Sequence, residues 1–331
     1  MKAAIVPRYG TPDTIQFTDT PAPDCGIDEV LIDVFASGIT QGDRRMRAGD
    51  FPGITALLGR AALGFRGPRK QVPGSTFAGR IRQIGHNVTR FTVGDDVFGE
   101  CMSGGQAEQL VMPQGGAIAR LPRGVTHSEA TALPYGVCTA NVFLADLGQL
   151  KSGERAVIIG AGGGVGRYAV QIAASLGAHV IAVCSERHHE RVLALGADEV
   201  VCPGASITGN VDLVFDTSGT SKLGDWKAQM PSTGRFLTVD LTARVLLDLF
   251  AGIFTKGPKA RFTISICDSK QIEQIVEQLE SGAVKPLLGP TFAFVELAEA
   301  HRCLEEDRPT GDVVVQMRRA QSQRSVLSLV A

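Results

Sequence analysis

The sequence predicts an α/β protein in which a doubly wound parallel sheet is joined to a small, partly open β-barrel. Three observations carry this reading. The stretch from Ala156 to Ser185, AVIIGAGGGVGRYAVQIAASLGAHVIAVCS, reads as strand, glycine turn, helix and second strand. From about Leu121 helical and strand patterns alternate, as they do in a parallel βαβ sheet. The first third is instead built of short runs, EVLIDVFASG, TFAGRIRQIG and DDVFGECM, punctuated by Gly, Pro and Asp. That pattern suits a barrel.

The glycine turn is the most telling element. The apolar run Ala156–Ile159 fits a strand buried on both faces. Five of the seven residues from Gly160 to Gly166 are glycine, which lets the backbone turn tightly and approach a pyrophosphate closely. In the helix that follows, Val165, Ala169, Ile172, Ala173 and Leu176 share one face, and Gly177 is a natural stop. Its N-terminus offers free N–H groups and a positive dipole end to phosphate. A glycine cluster alone is weak evidence; set in a complete strand–turn–helix–strand unit it marks a dinucleotide-binding Rossmann sheet.

Residues past the second strand bear on which dinucleotide binds. Units that prefer NAD usually place Asp or Glu there to hold the ribose hydroxyls. Here the position is Ser185, followed by Glu186, Arg187, His188, His189, Glu190 and Arg191. A hydroxyl followed by a guanidinium suits a 2′-phosphate, which Arg grips bidentately, so NADPH is expected over NADH. A one-residue shift of the strand end would instead make Glu186 the ribose acceptor, and the basic run also fits the solvated start of a helix.

Further along, GADEVV, VDLVFDTSG and GRFLTVD are strand candidates, with Asp216–Gly219 and Thr238–Asp240 at ends where ligands bind in this architecture. Asp268 to Gly282 reads as an amphipathic helix, with Ile272, Ile275, Val276 and Leu279 on one face and Asp268 with Gln271 as a capping box. DVVVQM is the last strand candidate, and the tail 319–331 is expected to be disordered. The apolar segment Val245–Phe254 is read as core, as a subunit contact that would leave a homodimer open, or as a wall of the acceptor site.

Composition removes several function classes. Lys+Arg number 33 and Asp+Glu 34, so no basic surface argues for nucleic acid or an anionic membrane. One Trp and three Tyr are too few for base-stacking platforms. MKAAIVPRYG lacks the features of a secretory signal, and no run approaches the roughly 18 apolar residues of a membrane span. The seven cysteines are scattered singly without any C-x-x-C, which fits reduced, individually buried thiols in a cytoplasmic protein. Neither they nor the six histidines show metal-ligand spacing, so no metal site is expected.

Several ordered motifs carry a family resemblance. EVLIDVFASGITQGDRRMRAG, VPGSTFAGRIRQIGHNVTRFTVGDDVFG, GGQAEQLVMP, ATALPYGVCTA, the glycine turn and the ending FVELAEAHRCLEEDRPTGDVVVQM occur in sequence over nearly the whole chain. Together they resemble the zinc-independent medium-chain dehydrogenase/reductases, in the quinone oxidoreductase, zeta-crystallin-like branch. The resemblance implies a GroES-like barrel domain at 1–121 plus 265–318, with the Rossmann domain at 122–264 inserted between and the active site in the cleft. It also implies that Thr40, Ser75 of Gly74-Ser75-Thr76, and the Leu133–Gly136 segment stand where zinc-dependent relatives hold the metal. Without a Lewis acid, reduction of an electron-poor quinone or α,β-unsaturated carbonyl is easier than alcohol oxidation.

On that resemblance Thr40, Asp43 and Tyr135 are the candidate catalytic residues. Asp43 has a competing structural reading, capping N–H groups of the GITQGDRR turn or pairing with Arg44 or Arg47. Tyr135 needs a partner if buried. The expected cofactor set is Thr139, Gly162, Gly163, Gly164, Val165, Gly166, Ser185, Arg187, Thr217, Ser218, Thr238 and Val239, with a bond back into its own helix as the alternative for Thr139. Two other functions stay open: a 2-enoyl thioester reductase, although Tyr9 is the sole tyrosine ahead of the cleft and lies at the wrong end, and a non-enzymatic protein that kept the cofactor fold. The acceptor pocket depends on loops such as 51–70, which carry no periodic signal.

Overall fold

The computed structural model describes residues 1–51, 59–61, 63–307 and 309–317. The tail 319–331 and much of the 51–70 loop therefore lie outside the described residues. Strands β1 (Lys2–Ile5) and β2 (Gln16–Asp19) form an antiparallel pair. The barrel sheet is built on β3 (Glu29–Ile39), an 11-residue strand that pairs antiparallel with β4 (Thr76–Ile84). β5 (Asp96–Glu100), β6 (Gln109–Pro113) and β7 (Ile118–Arg120) extend it, with β6 also on β3. Two register shifts between β3 and β4 curl this sheet.

Six strands make the second sheet: β8 (Arg155–Ile159), β9 (His179–Val183), β10 (Glu199–Val201), β11 (Leu213–Asp216), β12 (Arg235–Thr238) and β13 (Lys259–Arg261). Their spatial order is β10-β9-β8-β11-β12-β13, and every pairing is parallel. The order reverses between β8 and β11, which opens a crevice at the C-terminal strand ends. The chain then returns to the barrel: β14 (Leu288–Ala293) and β15 (Asp312–Gln316) complete the first sheet by pairing Val313 with Ile39.

Helices place the chemistry. α1 (Gln41–Ala48) starts at a reciprocal Thr40–Asp43 capping box and stops at Gly49, whose φ is 66°. α2 (His127–Thr131) leads into α3 (Leu133–Asn141), which has Pro134 in its first turn. α4 (Gly166–Ser175) follows the glycine turn. It departs from the amphipathic expectation, because every residue from Gly166 to Ala173 is buried. The sheet covers one face, and α3 and the returning C-terminal chain cover the others.

After the short α5 (His189–Ala194) and α6 (Leu223–Trp226), α7 (Ala243–Phe254) leaves Leu247, Phe250, Ile253 and Phe254 exposed. The core reading of that segment is thereby corrected. α8 (Ser269–Glu280) has the expected Asp268–Gln271 capping box and buries Ile272 and Ile275. α9 (Leu297–Arg302) packs under β14 and β15. Among the described residues no helix is long and apolar enough to cross a membrane.

One buried charge cluster joins the two sheets. Asp312 at the start of β15 takes an ion pair from Arg167 and a 2.6 Å hydrogen bond from the Tyr168 hydroxyl, both in the first turn of α4. The same hydroxyl accepts from the N–H of Leu287. Burial pushes the Asp312 carboxyl up, against the pull of Arg167 and Tyr168. Arg167 and Tyr168 are buried and Asp312 is half-buried at the cleft, so removing one member leaves the others uncompensated where water reaches them poorly. Asp312→Ala should therefore lose about 3–5 kcal/mol of unfolding free energy. Tyr168→Phe should lose about 1.5–3 kcal/mol, the usual worth of a hydrogen bond to a charged group. Urea unfolding of the cofactor-free protein checks both, and a loss under about 1 kcal/mol for Asp312→Ala would refute this interdomain role.

Candidate active site

A cleft of about 1060 Å³ runs between the sheets, from the α1 N-terminus past the glycine turn to the loop after β9. Gly162, Gly163, Gly164 and Val165 line it. Among the described residues the N–H groups of Gly162, Gly164 and Val165 meet no backbone acceptor, and all three residues line the cleft at the start of a ten-residue helix. A Cβ added to Gly164 would meet nothing within 4 Å. One added to Gly166 would come within 2.1 Å of the Gly160 carbonyl oxygen, and Gly166 is not on the cleft wall. The turn thus divides its labour. Gly166 is corrected from a ligand contact to close helix–strand packing, while Gly164 leaves room for a diphosphate. A Cβ on Gly163, also on the wall, would lie 3.2 Å from the Gly160 carbonyl oxygen. These residues fit a dinucleotide.

β9 ends at Val183, so Ser185 follows the strand and heads a 3-10 turn, Glu186–His188. Ser185 and Arg187 line the cleft; Glu186 does not. The Arg187 Nε donates to His188 Nε2 at 3.2 Å. Burial, then the surrounding arginines, holds His188 below its ordinary range. Its ring lies where a Cβ on Gly162 would be, 2.5 Å from that position. The adjacent histidines gave no hint of this packing, which pairs a glycine with a side chain 26 positions away.

At the other end three hydroxyls gather. Asp43 is buried and its carboxylate accepts four bonds: from Thr40 N–H at 2.9 Å, the Thr40 hydroxyl at 2.7 Å, Ser75 N–H at 2.9 Å and the Ser75 hydroxyl at 3.1 Å. Burial nonetheless raises its pKa. Asp43 is not on the wall, and Arg44 and Arg47 pair with Asp50 and Glu305 instead. The capping reading of Asp43 holds, since its carboxylate takes the Thr40 N–H of the turn, whereas pairing with Arg44 or Arg47 is corrected. Off the wall, the side chain orients Thr40 and Ser75 in place of direct catalysis. Thr40 and Tyr135 line the cleft. Burial first, then Asp43, Glu100 and Asp240 against Arg45, pushes the Tyr135 hydroxyl up to about 12. The donor set at the expected metal position is therefore hydrogen-bonded alcohols and a phenol, and it does not fit zinc.

The remaining assignments divide. Thr139 is on the wall and bonds back to the Tyr135 carbonyl at 2.7 Å. Thr217 lines the cleft with its hydroxyl on the Ile159 carbonyl, and Ser218 lines it with its hydroxyl on Asp216. Val239 is on the wall. Thr238 is buried off it and accepts from Asp240 N–H, so its role as a ligand contact is corrected to shaping the strand end. None of the residues of 245–254 lines the cleft, which removes the acceptor-wall reading of α7. Sequence reasoning missed Arg45, on the wall, whose guanidinium crosses to Asp240 at 2.8 Å and spans the two domains.

It also missed a cluster. Glu100, Cys138 and Cys267 bring their ligand atoms within 4.8 Å of one another. The expectation of isolated thiols is corrected here for Cys138 and Cys267. No spacing rule reveals residues that meet only through the fold.

Comparison with known proteins agrees with this geometry. Residues 26–140 match the alcohol dehydrogenase GroES-like domain and residues 190–315 match zinc-binding dehydrogenase. The chain is 35% identical over 272 residues to the chloroplastic quinone-oxidoreductase homolog of Spinacia oleracea, covering 77% of this chain and 75% of that protein. It is 29% identical to the mitochondrial NAD(P)H oxidoreductase RTN4IP1 of Mus musculus, covering 95% and 89% respectively. The quinone oxidoreductase structure from Coxiella burnetii superposes with a TM-score of 0.83 at 24% identity, over 96% of this chain and 99% of that one. The chain belongs to the medium-chain dehydrogenase/reductases, in the quinone oxidoreductase branch, and is an NAD(P)H-using oxidoreductase.

The two kinds of glycine can be separated by substitution. Gly164→Ala should leave unfolding stability within about 0.5 kcal/mol, as for other changes into open space. It should weaken cofactor binding by about tenfold or more, because a methyl group then occupies the diphosphate's approach. Gly166→Ala should destabilise the fold itself. Cofactor fluorescence titration beside thermal unfolding measures both, and a Gly164→Ala protein with unchanged affinity would disprove the cradle.

Proposed function

We propose that the protein transfers hydride from NADPH to a hydrophobic, electron-poor acceptor, a quinone or an α,β-unsaturated carbonyl, without a metal at the reacting centre. The observation that carries this is the Thr40–Ser75–Asp43 hydrogen-bond network with Tyr135 beside it, at the position where the family resemblance implies that zinc-dependent relatives hold their metal. With no Lewis acid to polarise an alcohol, an already polarised acceptor is the substrate that positioning alone can serve. Bound NADPH supplies the hydride. The chain supplies the pocket, the orientation and a proton.

The proton source follows from the hydrogen bonds. The Thr40 hydroxyl already donates to Asp43 at 2.7 Å. Tyr135 stays protonated far above neutrality, so it can donate as hydride arrives. Tyr135→Phe should lower kcat by roughly 10²–10⁴-fold. Because its pKa is raised, the protonated form persists as pH climbs. The wild-type rate should therefore hold past pH 10.0, the ordinary tyrosine value, and fall only toward about 12. A loss of less than tenfold in Tyr135→Phe, with an unchanged pH profile, would leave Tyr135 a positioning group.

NADPH preference is part of the proposal and rests on Ser185 and Arg187 lining the cleft while Glu186 does not. Arg187→Ala should weaken NADPH by roughly 1.5–3 kcal/mol, a lost charge-assisted bond, and leave NADH unchanged. Equal losses for both would make Arg187 a bystander. The alternative as an enoyl thioester reductase gains nothing from Tyr9, whose hydroxyl donates to the Gly64 carbonyl away from the cleft wall.

The reaction is tested by NADPH oxidation with 9,10-phenanthrenequinone, 1,4-benzoquinone, an enone, an enoyl thioester and a simple aldehyde. Turnover should be confined to the quinones and the enone. Activity with the aldehyde alone, or none despite tight NADPH binding, would overturn the assignment.

A further inference from the structure

Behind the cleft wall, three parts of the chain converge on one point. Glu100 ends barrel strand β5, Cys138 lies one turn beyond Tyr135 on α3, and Cys267 lies on the segment returning from β13 to the barrel. One carboxylate oxygen and two sulfurs sit within 4.8 Å of one another, while Glu100, Cys138 and Cys267 themselves are absent from the cleft wall. Tetrahedral zinc with two sulfurs and one oxygen needs ligand separations of roughly 3.6–3.8 Å, from bond lengths of about 2.0–2.3 Å. Each ligand atom therefore has to move inward by about 1 Å at most. That distance is within reach of a side-chain rotation.

The charges around the cluster point the same way. The charge acting on Glu100 is another carboxylate, Asp43, and Cys267 faces Glu100 and Asp268. Among the described residues no cation offsets them at Glu100. Two further polar atoms touch Cys138: the Ser265 hydroxyl at 3.5 Å from its sulfur and Gln271 Oε1 at 3.4 Å. Ser265 itself lines the cleft.

We propose that Glu100, Cys138 and Cys267 form a binding site for a soft or borderline divalent cation such as Zn²⁺, with water or the Ser265 hydroxyl as fourth ligand. The ion is structural. It joins β5, α3 and the returning segment at the domain boundary, and it is distinct from the Thr40–Ser75–Tyr135 position. Two thiol protons leave for each ion bound, since thiolates are the ligands. The site does not depend on the proposed reaction.

Cd²⁺ alone is the probe, because thiolate-to-metal charge transfer reports sulfur ligation in the ultraviolet. Titrated into reduced, chelator-treated full chain, it should saturate at one ion per chain with a thiolate band and release at least two protons. Cys138→Ser and Cys267→Ser should each abolish the saturable one-ion step, and Glu100→Gln should weaken it. Cys202→Ser, at an exposed thiol, should leave it unchanged. NADPH binding serves as the folding control; where a cysteine variant fails it, the Glu100→Gln titration decides. An absent band, a wild-type step in folded Cys138→Ser or Cys267→Ser, or wild-type affinity in Glu100→Gln would overturn the site. NADPH oxidation, assayed separately, reads the reaction and not the ion.

Discussion

The half-buried Asp312 carboxylate is the constraint on which the site's geometry depends. It is fixed to Arg167 and Tyr168, the two residues that follow the glycine turn, and it belongs to the strand that closes the barrel sheet against β3. The free N–H donors of the turn are thereby held at a set distance from the barrel. The constraint reaches further through packing. Gly136 lies so close to the Tyr168 ring that a Cβ there would come within 2.4 Å of it. α3 is thus pressed onto α4, and Tyr135, the residue before Gly136, is placed on the wall. A buried ion pair is a weak source of stability compared with apolar packing, but it is intolerant of losing one partner. It therefore suits fixing one relative placement of two sheets.

Around that anchor the cleft has two chemically different ends. The far end is exposed and basic, with Ser185 and Arg187 after β9. The barrel end is closed and hydroxyl-rich, and Asp43 holds Thr40 and Ser75 by four hydrogen bonds. Asp43 also caps α1, so the helix N-terminus and the reacting end of the cleft share one side chain. Loss of that carboxylate unsettles both together, which is why Asp43 positions the site without touching its contents. Arg45, on the next turn, crosses to Asp240 and ties α1 to the end of β12.

How much of this was legible in the sequence depends on the range of each interaction. Local signals held: the strand–turn–helix–strand unit, the strands GADEVV and DVVVQM, and the Asp268–Gln271 capping box are all present. These follow from periodicity and capping, which act over a few residues. The misses are long-range. The full burial of α4 needs, besides the sheet and α3, partners more than 100 positions away, Lys285 and Asp312 among them. His188 under Gly162, Arg45 with Asp240, and the convergence of Glu100, Cys138 and Cys267 have the same origin. No pattern along the chain encodes which distant residues a fold will bring into contact.

The glycines show why motif and function must be argued separately. Gly160 needs its φ of 78° for the turn, Gly166 packs on Gly160, Gly162 makes room for His188, Gly163 lies close over the Gly160 carbonyl, and Gly164 borders open space. Four of the five therefore answer to contacts within the fold, and Gly164 is the one that only a ligand explains. A protein that only bound the cofactor would need all of them equally. What separates turnover from binding is the opposite end of the cleft, where a protonated phenol stands beside a hydroxyl whose own proton is already engaged by a buried carboxylate. An arrangement made only to hold the cofactor gains nothing from a second proton donor there. The proposed reaction, hydride addition to a carbonyl-like acceptor, is accelerated by one.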